Sequence, residues 1–291
     1  MKTGRCGLRF GKTADDTIRI TFEILRRKSA DAPAHWETYP FETEDRGETA
    51  ATALDKLNRR LVGNGEEPIR WECSCLQKKC GACAMVINGK PRLACDTFLR
   101  DFRKEKKLVL EPLRKFPVVA DLMVDRSIMR ENLRIMELWQ ESESETGYDV
   151  LQEKSIDAQG GNGKYGTAQS EKGQIGKARS GKFAEKERKQ QEFRYEASRC
   201  LQCGCCLEVC PNFCAGEEFF GAACFVPTAR LITSLPMKEQ DKMRRAYLSH
   251  VYKGCGKSLA CAAVCPAGID TELLLSRSNR AALWRRQRHE G

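Results

Sequence analysis

The cysteines of this chain fall into groups whose spacing suits metal or redox chemistry. Of sixteen cysteines in 291 residues, five lie between Cys73 and Cys95, seven between Cys200 and Cys224, and three between Cys255 and Cys265. The N-terminal sequence lacks the apolar stretch of a secretory signal, so we expect a reducing compartment. Clustered cysteines in such a compartment more often bind metal or carry out redox chemistry than form disulfides.

The first group fits a [2Fe–2S] centre. Cys75, Cys80 and Cys83 are separated by four and then two residues, and Cys95 follows after eleven more, which is the plant-type ferredoxin spacing. Four thiolates must converge on two bridged irons, and Gly81 is expected to let backbone amides approach the sulfides closely. A zinc site built from the same four cysteines is the alternative, although zinc ribbons usually show two CxxC pairs.

The second group matches the bacterial ferredoxin run. Residues 200–211, CLQCGCCLEVCP, have cysteines separated by two, two and three residues and followed by proline. In that run three cysteines hold one [4Fe–4S] cluster and the fourth ligates another cluster. A second run is therefore expected, and residues 254–266, GCGKSLACAAVCP, supply it with Ser258 in one thiolate position.

The symmetry of the two runs assigns the ligands. With the last cysteine of each run crossing to the other cluster, a [4Fe–4S] centre takes Cys200, Cys203, Cys206 and Cys265. The remaining ligands, Cys210, Cys255 and Cys261, favour a [3Fe–4S] centre. A [4Fe–4S] cluster with Ser258 as a ligand is the alternative.

Five cysteines remain outside these sets. Free cysteine often behaves as a small buried hydrophobe, and this is predicted for all five, namely Cys6, Cys73, Cys205, Cys214 and Cys224.

Residues 1–126 predict a small α+β domain that holds the first cysteine group. Apolar residues alternate over residues 17–27, which predicts a half-buried strand. Asn88-Gly89 between two short apolar runs predicts a tight hairpin. The other predicted elements are an antiparallel strand at 35–42, an amphipathic helix at 48–62 and a strand at 108–113.

The rest of the chain predicts helices joined by a polar segment. Residues 127–190 are expected to form a helix over 127–140 and then a flexible linker that becomes helical over 183–199. Beyond Cys200 no strand pattern appears, so residues 191–291 are expected to form an all-helical domain. Its clearest helical periodicity is at 228–235 and 271–284.

Charge and hydropathy narrow the class of protein. The net charge of +10 permits nucleic-acid binding, because Lys and Arg neutralise phosphates. The basic residues are nevertheless scattered among acidic ones, so a solvated surface, or one that faces an acidic partner, is expected instead. No apolar run approaches the ~20 residues of a membrane span, and a soluble cytoplasmic chain is expected.

Taken together, these motifs resemble the iron–sulfur subunit of succinate dehydrogenase and fumarate reductase. The resemblance covers residues 15–140 and 190–285, and it rests on CLQKKCGACAMVINGKPRLAC, FPVVADLMVDRS, CLQCGCCLEVCP and CGKSLACAAVCP, which occur in family order. It implies a plant-type ferredoxin domain of the β-grasp type, followed by an all-α, two-cluster ferredoxin-like domain.

The resemblance also implies an electron-transfer role. The [2Fe–2S] centre would face the FAD of a separate flavoprotein subunit, and the [3Fe–4S] centre would face a membrane anchor of the cytochrome b type. The organic substrate would react on another chain, and this chain would lie peripherally on the cytoplasmic face of the membrane. Two alternatives are a related soluble, thiol-driven fumarate reductase and, from another class, a zinc-stabilised nucleic-acid-binding protein.

One departure from the family pattern concerns quinone. Many members have aromatic residues and a histidine where this chain has Cys214, Ala215 and Gly256, and Phe213 is the only ring left there. The pattern therefore implies that quinone is reached indirectly, through a haem-bearing anchor. The basic C-terminal segment fits contact with that anchor or with anionic headgroups, or a solvated helix end; it contains Trp284, Arg285, Arg286 and Arg288.

Overall fold

The computed structural model describes residues 17–138, 181–232 and 237–283. Cys6, residues 141–180 of the predicted linker and the basic C-terminal segment lie outside the described residues. No helix within the described ranges is long and apolar enough to cross a membrane.

The first part of the chain is built on a mixed sheet of five strands. Their order is β2-β1-β5-β3-β4, with β1 and β5 parallel and the other neighbours antiparallel. The strands are β1 (Ile18–Arg26), β2 (His35–Thr43), β3 (Ala84–Ile87), β4 (Lys90–Leu93) and β5 (Lys107–Glu111). The predictions of a strand at 17–27, its antiparallel partner and the strand at 108–113 are confirmed.

One helix covers this sheet. In α1 (Ala50–Gly63), Leu54, Leu57 and Leu61 are buried in the same core as alternate residues of β1. Thr49 begins the helix with a capping box to Thr52, which satisfies backbone N–H groups that the first turn leaves unpaired. The helix predicted at 48–62 is confirmed.

The predicted hairpin carries the fourth cysteine of the first group. Asn88 and Gly89 have positive φ angles of 48° and 73° between β3 and β4, as the turn type that matches strand twist requires. Cys95 lies two residues after the end of β4 and is buried.

A second, two-stranded sheet was not predicted. Its strands β6 (Val118–Ala120) and β7 (Met123–Val124) are joined at the buried Asp121. The Asp121 carboxylate accepts hydrogen bonds from Arg26 Nε at 3.0 Å and from the backbone N–H groups of Arg27 and Arg70, each at 2.8 Å. This carboxylate therefore ties the end of β1 to the segment that leads into the first cysteine loop.

The helix after β7 ends earlier than predicted. α2 covers Ser127–Ile135, whereas the prediction extended it to residue 140. Glu137 has a positive φ of 55°, and the backbone N–H of Leu138 donates to the Leu133 carbonyl while that of Glu137 donates to Arg134. This pair of hydrogen bonds is a Schellman motif, which terminates an α-helix.

The second part of the described chain contains helices and no strand after Cys200, as predicted. Its core includes Phe193, Phe225, Tyr247 and Leu274. The helices are α3 (Gly181–Ser198), α4 (Cys205–Glu208), α5 (Ala222–Ile232), α6 (Met237–Tyr247), a π-helical turn (Leu248–Tyr252), α7 (Ala260–Ala263) and α8 (Thr271–Leu283). The helical periodicities at 183–199, 228–235 and 271–284 are confirmed over the residues that are described.

The two parts meet tightly where their cysteine loops touch. A Cβ on Gly81 would lie 2.7 Å from the Leu201 carbonyl oxygen and 2.8 Å from Cys203 Cβ. Nearby, the rings of Phe116 and Phe213 lie 6.0 Å apart. Gly81 is therefore needed for the approach of two loops, a reason beyond the predicted approach of amides to sulfides.

This contact predicts a large cost for a side chain at Gly81. Gly81→Ala would add a clash with main-chain atoms to the strain of a φ of 75°. Gly89→Ala is the matched control, because Gly89 has a φ of 73° with nothing within 4 Å, so it should cost only the ~1–2 kcal/mol of the left-handed conformation. Calorimetry of the full chain should show at least twice the drop in apparent Tm for Gly81→Ala. Equal drops would contradict a tight contact.

Candidate iron–sulfur sites

The first cysteine loop points backbone N–H groups at sulfur. The N–H groups of Gln77 and Lys79 each donate to Cys75 Sγ at 3.3 Å, and that of Lys78 donates to Cys95 Sγ at 3.3 Å. Leu76 and Lys78 have positive φ angles of 51° and 57°. Alternating backbone conformations of this kind turn successive N–H groups to one side and form anion-binding concavities, including iron–sulfur sites.

The four predicted thiols of this loop come together in two pairs. The Cys80 thiol is hydrogen bonded to Cys75, and the Cys83 thiol to Cys95. The backbone N–H donors lower the pKa of Cys75 to about 7, whereas burial raises the pKa of Cys83 to about 12. Cys83 and Cys95 are buried and Cys80 is exposed, so the site reaches from the core to the surface.

The second loop and its downstream counterpart share one backbone conformation. Gln202 and Gly204 have φ angles of 50° and 86°, and the corresponding Lys257 and Leu259 both have 55°. Gly204 directly precedes α4, and Leu259 directly precedes α7. The two runs are therefore a structural repeat as well as a sequence repeat, although Ser258 replaces a cysteine in the second.

The four thiols assigned to the [4Fe–4S] centre line one cavity. Its wall contains Cys200, Cys203, Cys206 and Cys265 together with Cys261, and is otherwise mostly apolar. Burial raises the pKa of Cys206, and the charges of the neighbouring thiolates raise it further. The free energy cost of holding several anionic thiolates in one cavity is relieved when they ligate a cation.

Side-chain donors surround the same cavity. Gln202 Nε2 donates to Cys200 Sγ at 3.2 Å and to the Ala223 carbonyl at 3.0 Å. The Cys205 thiol donates a hydrogen bond to Cys203. This bond, backbone N–H donors and the positive charge of Arg126 together lower the pKa of Cys203 to about 7, although burial raises it. Thiols that line one cavity, with hydrogen-bond donors directed at sulfur, are a suitable environment for a cluster.

The three thiols assigned to the [3Fe–4S] centre are also neighbours. Burial raises the pKa of Cys261, and the nearby Cys210 and Cys255 raise it further. Thr271 Oγ1 lies 3.7 Å from Cys261 Sγ. Ser258 is exposed. Cys261 also lines the neighbouring cavity, so the two sets adjoin there.

The prediction for the remaining cysteines is right for two and wrong for two. Cys205 and Cys224 are buried, as predicted, but Cys73 and Cys214 are exposed. Both exposed residues lie in segments without regular secondary structure, and Cys214 is exposed between the buried Phe213 and the partly buried Ala215. Cys6 lies outside the described residues. The fifteen described cysteines are all free thiols, with no disulfide among them.

Sequence reasoning missed the polar residues that join the two parts of the chain. Lys115 Nζ donates to the carbonyls of Cys210 and Phe213, and its backbone N–H donates to the buried Glu208. Arg126 donates to carbonyls of both cysteine loops. Both cations lie within or next to FPVVADLMVDRS, but nothing in that motif indicates contacts to carbonyls some 45 to 98 residues away.

Comparison with known proteins identifies similarities to both parts of the chain. Residues 21–131 match the family model of the 2Fe-2S iron-sulfur cluster binding domain. A chain of the Mycobacterium smegmatis Sdh1 complex in the apo form shares the fold, with a TM-score of 0.59, 22% identity and coverage of 91% of this chain and 96% of that chain. The first match concerns the N-terminal part of the chain, and the second shows that the fold, with its helical C-terminal part, is shared.

The sequence relatives are more specific. The succinate dehydrogenase iron-sulfur subunit of Bacillus subtilis is 31% identical over 90% of this chain and 91% of its own length. The fumarate reductase iron-sulfur subunit of Haemophilus influenzae is 29% identical over 86% and 88%. The chain belongs to the family of iron–sulfur subunits of succinate dehydrogenase and fumarate reductase.

The first loop predicts a reactivity difference between two neighbouring thiols. The pKa of Cys75 is lowered to about 7, whereas partial desolvation of the Cys73 thiol and the nearby Asp55 raise the pKa of Cys73, although that residue is exposed. Because the thiolate is the nucleophile, iodoacetamide should modify Cys75 half-maximally near pH 7 in the chelator-treated chain. Cys73 should react only at higher pH. Identical pH profiles, read by peptide mass spectrometry, would mean that the N–H donors are not in place before metal binds.

Proposed function

We propose that this chain is the iron–sulfur electron-transfer subunit of a succinate:quinone oxidoreductase. The observation that carries the proposal is the succession of three neighbouring thiol sets through one structure. It starts at the surface with Cys80, crosses the tight contact between the two parts at Gly81 and Cys203, and ends with Cys210, Cys255 and Cys261.

The proposed ligands follow the two spacings and the proximity of the thiols. Cys75, Cys80, Cys83 and Cys95 hold a [2Fe–2S] cluster in a β-grasp domain. Cys200, Cys203, Cys206 and Cys265 hold a [4Fe–4S] cluster, and Cys210, Cys255 and Cys261 hold a [3Fe–4S] cluster, in a two-cluster ferredoxin-like domain. Such clusters, when bound, supply one-electron carriers.

The chain's own residues set the properties of these carriers. Backbone N–H groups of Gln77, Lys78 and Lys79 and the amide of Gln202 donate to ligand sulfurs. Donors of this kind stabilise the more negative, reduced state of a cluster and so raise its potential. The apolar wall around the second set excludes water and strengthens the hydrogen bond from Gln202 to Cys200.

The proposed partners stand at the two ends of this relay. A flavoprotein subunit with FAD faces the exposed end of the first loop and carries the dicarboxylate chemistry. A membrane anchor of the cytochrome b type faces the third set, so the chain is peripheral on the cytoplasmic side of the membrane. The names of the relatives, which are subunits of succinate dehydrogenase and fumarate reductase, support this division of labour.

The surroundings of the third set support an indirect route to quinone. Asn212 Nδ2 donates to the Gly254 carbonyl at 2.6 Å, and a Cβ on Gly256 would lie 3.2 Å from that nitrogen. The Asn212 amide thus fills space that a larger residue at position 256 would need. Quinone bound in the anchor, away from the third cluster, is the arrangement that fits.

Anaerobic purification tests the cofactors against the zinc alternative. The full chain should contain iron and acid-labile sulfide, with a nearly isotropic low-temperature EPR signal when oxidised and a rhombic signal when reduced. Equimolar zinc without iron or sulfide would end the electron-transfer proposal. Copurification with a membrane cytochrome supports the quinone-linked complex, whereas a fully soluble complex would favour the thiol-driven fumarate reductase.

Ser258 should decide the type of the third cluster. Ser258→Cys restores the fourth thiolate of the repeat, so the isotropic signal of the oxidised protein should be lost and one iron atom per chain gained. Ser258→Ala is the matched control and should leave signal and iron content unchanged, because Cys210, Cys255 and Cys261 are the proposed ligands of this cluster. An oxidised wild-type sample that is silent with full iron loading, and a signal that appears only in Ser258→Ala, would show that the serine binds the fourth iron.

A further inference from the structure

Arg126 connects the first two cysteine loops directly. Its Nη1 donates to the Gly81 carbonyl at 3.2 Å and to the Cys203 carbonyl at 3.3 Å, and its Nη2 donates to the Ala82 carbonyl at 2.8 Å. Gly81 and Ala82 lie between two proposed [2Fe–2S] ligands, and Cys203 is a proposed [4Fe–4S] ligand. One planar guanidinium therefore binds both loops at the closest approach of the two parts of the chain.

The charge of Arg126 is largely removed from water. Its side chain is 17% exposed and its carboxylate partner is Glu72, which is 38% exposed. Burial lowers the pKa of Arg126 and the nearby Cys203 and Cys205 raise it, but a guanidinium stays protonated at neutral pH. A positive charge in such a place acts on nearby redox centres at low screening.

A second cation at the contact shows what is specific to Arg126. Lys115 Nζ also donates hydrogen bonds to carbonyls, those of Cys210 and Phe213, but both acceptors belong to the helical part. Lys115 does not donate to the first cysteine loop in the structure. Among these two cations, Arg126 alone bridges the loops of the first and second thiol sets.

We propose that Arg126 is a positioning residue for electron transfer between the first two clusters, fixing their separation by its hydrogen bonds to both loops and raising their reduction potentials by its charge. The inference rests on the proposed function, because it requires the clusters to be bound. A positive charge near a cluster favours the reduced, more negative state, and hydrogen bonding and net charge are established determinants of cluster potential.

The test is a potentiometric titration, followed by EPR, of full-length variants purified anaerobically. Arg126→Met removes the positive charge and leaves Glu72 unpaired. The equilibrium constant for reduction of the [4Fe–4S] centre should therefore fall about tenfold, which is about 59 mV for one electron. The constant for the [2Fe–2S] centre should fall by less. Glu72→Gln keeps Arg126 and removes a negative charge, so both constants should rise. Opposite signs in the two variants are an electrostatic signature that a purely structural role would not produce.

A third variant separates geometry from charge. Arg126→Lys keeps the charge but cannot hold three carbonyls in one plane, so the potentials should change by less than about threefold. The relaxation enhancement of the [2Fe–2S] signal by the reduced [4Fe–4S] centre should still weaken, because the two loops are no longer joined. Lys115→Met is the matched control and should leave the [2Fe–2S] potential and this relaxation effect unchanged.

The outcomes distinguish this inference from the proposed function. Intact clusters in all variants, with unchanged potentials and relaxation, would overturn the role of Arg126 and leave the proposed function standing. Wild-type protein without iron and sulfide would overturn the proposed function itself. If Arg126→Met does not assemble, Glu72→Gln and Arg126→Lys carry the test, and a potential that does not rise in Glu72→Gln contradicts the electrostatic part.

Discussion

The close approach of Gly81 to the main chain of Leu201 and Cys203 is the contact on which the arrangement of the sites depends. A side chain at position 81 would overlap main-chain atoms that have nowhere to move. Because the two parts touch here, residues of the first cysteine loop lie against a cysteine of the second. The hydrogen bonds of Arg126 to both loops and the packing of Phe116 on Phe213 are formed only while this approach is maintained.

Left-handed backbone in the cysteine loops has a cost that the sites must offset. Leu76, Lys78, Gln202, Lys257 and Leu259 all have positive φ, and each non-glycine residue of this kind costs roughly 1–2 kcal/mol. Strain of this kind persists where the surroundings enforce it, commonly at functional sites. In the first loop it turns N–H groups toward sulfur, so the energy spent on backbone conformation is returned as hydrogen bonds to thiolates and, on metal binding, as ligation.

Sequence patterns predicted the elements with strong local signals and missed those fixed by distant contacts. The period of β1 and the Asn88-Gly89 turn identify their structures because each is encoded within a few residues. The short strands β6 and β7 carry too few residues to show alternation, and they are held by Asp121, whose partners are about 50 to 95 residues away. The roles of Arg126 and Lys115 were equally invisible, since their acceptors are carbonyl oxygens, which every residue has.

The repeat between the two ferredoxin-like runs separates what the backbone decides from what one side chain decides. Both runs place positive φ on the same two positions and begin a short helix at the next residue, with serine or with cysteine between those positions. The backbone therefore does not require the fourth thiol, and the loop keeps its shape without it. Under the proposed function, the difference between the second and third sites then resides in the side chain at position 258, where serine replaces the cysteine of the first run, so the proposed difference in cluster type depends on that side chain and not on the fold.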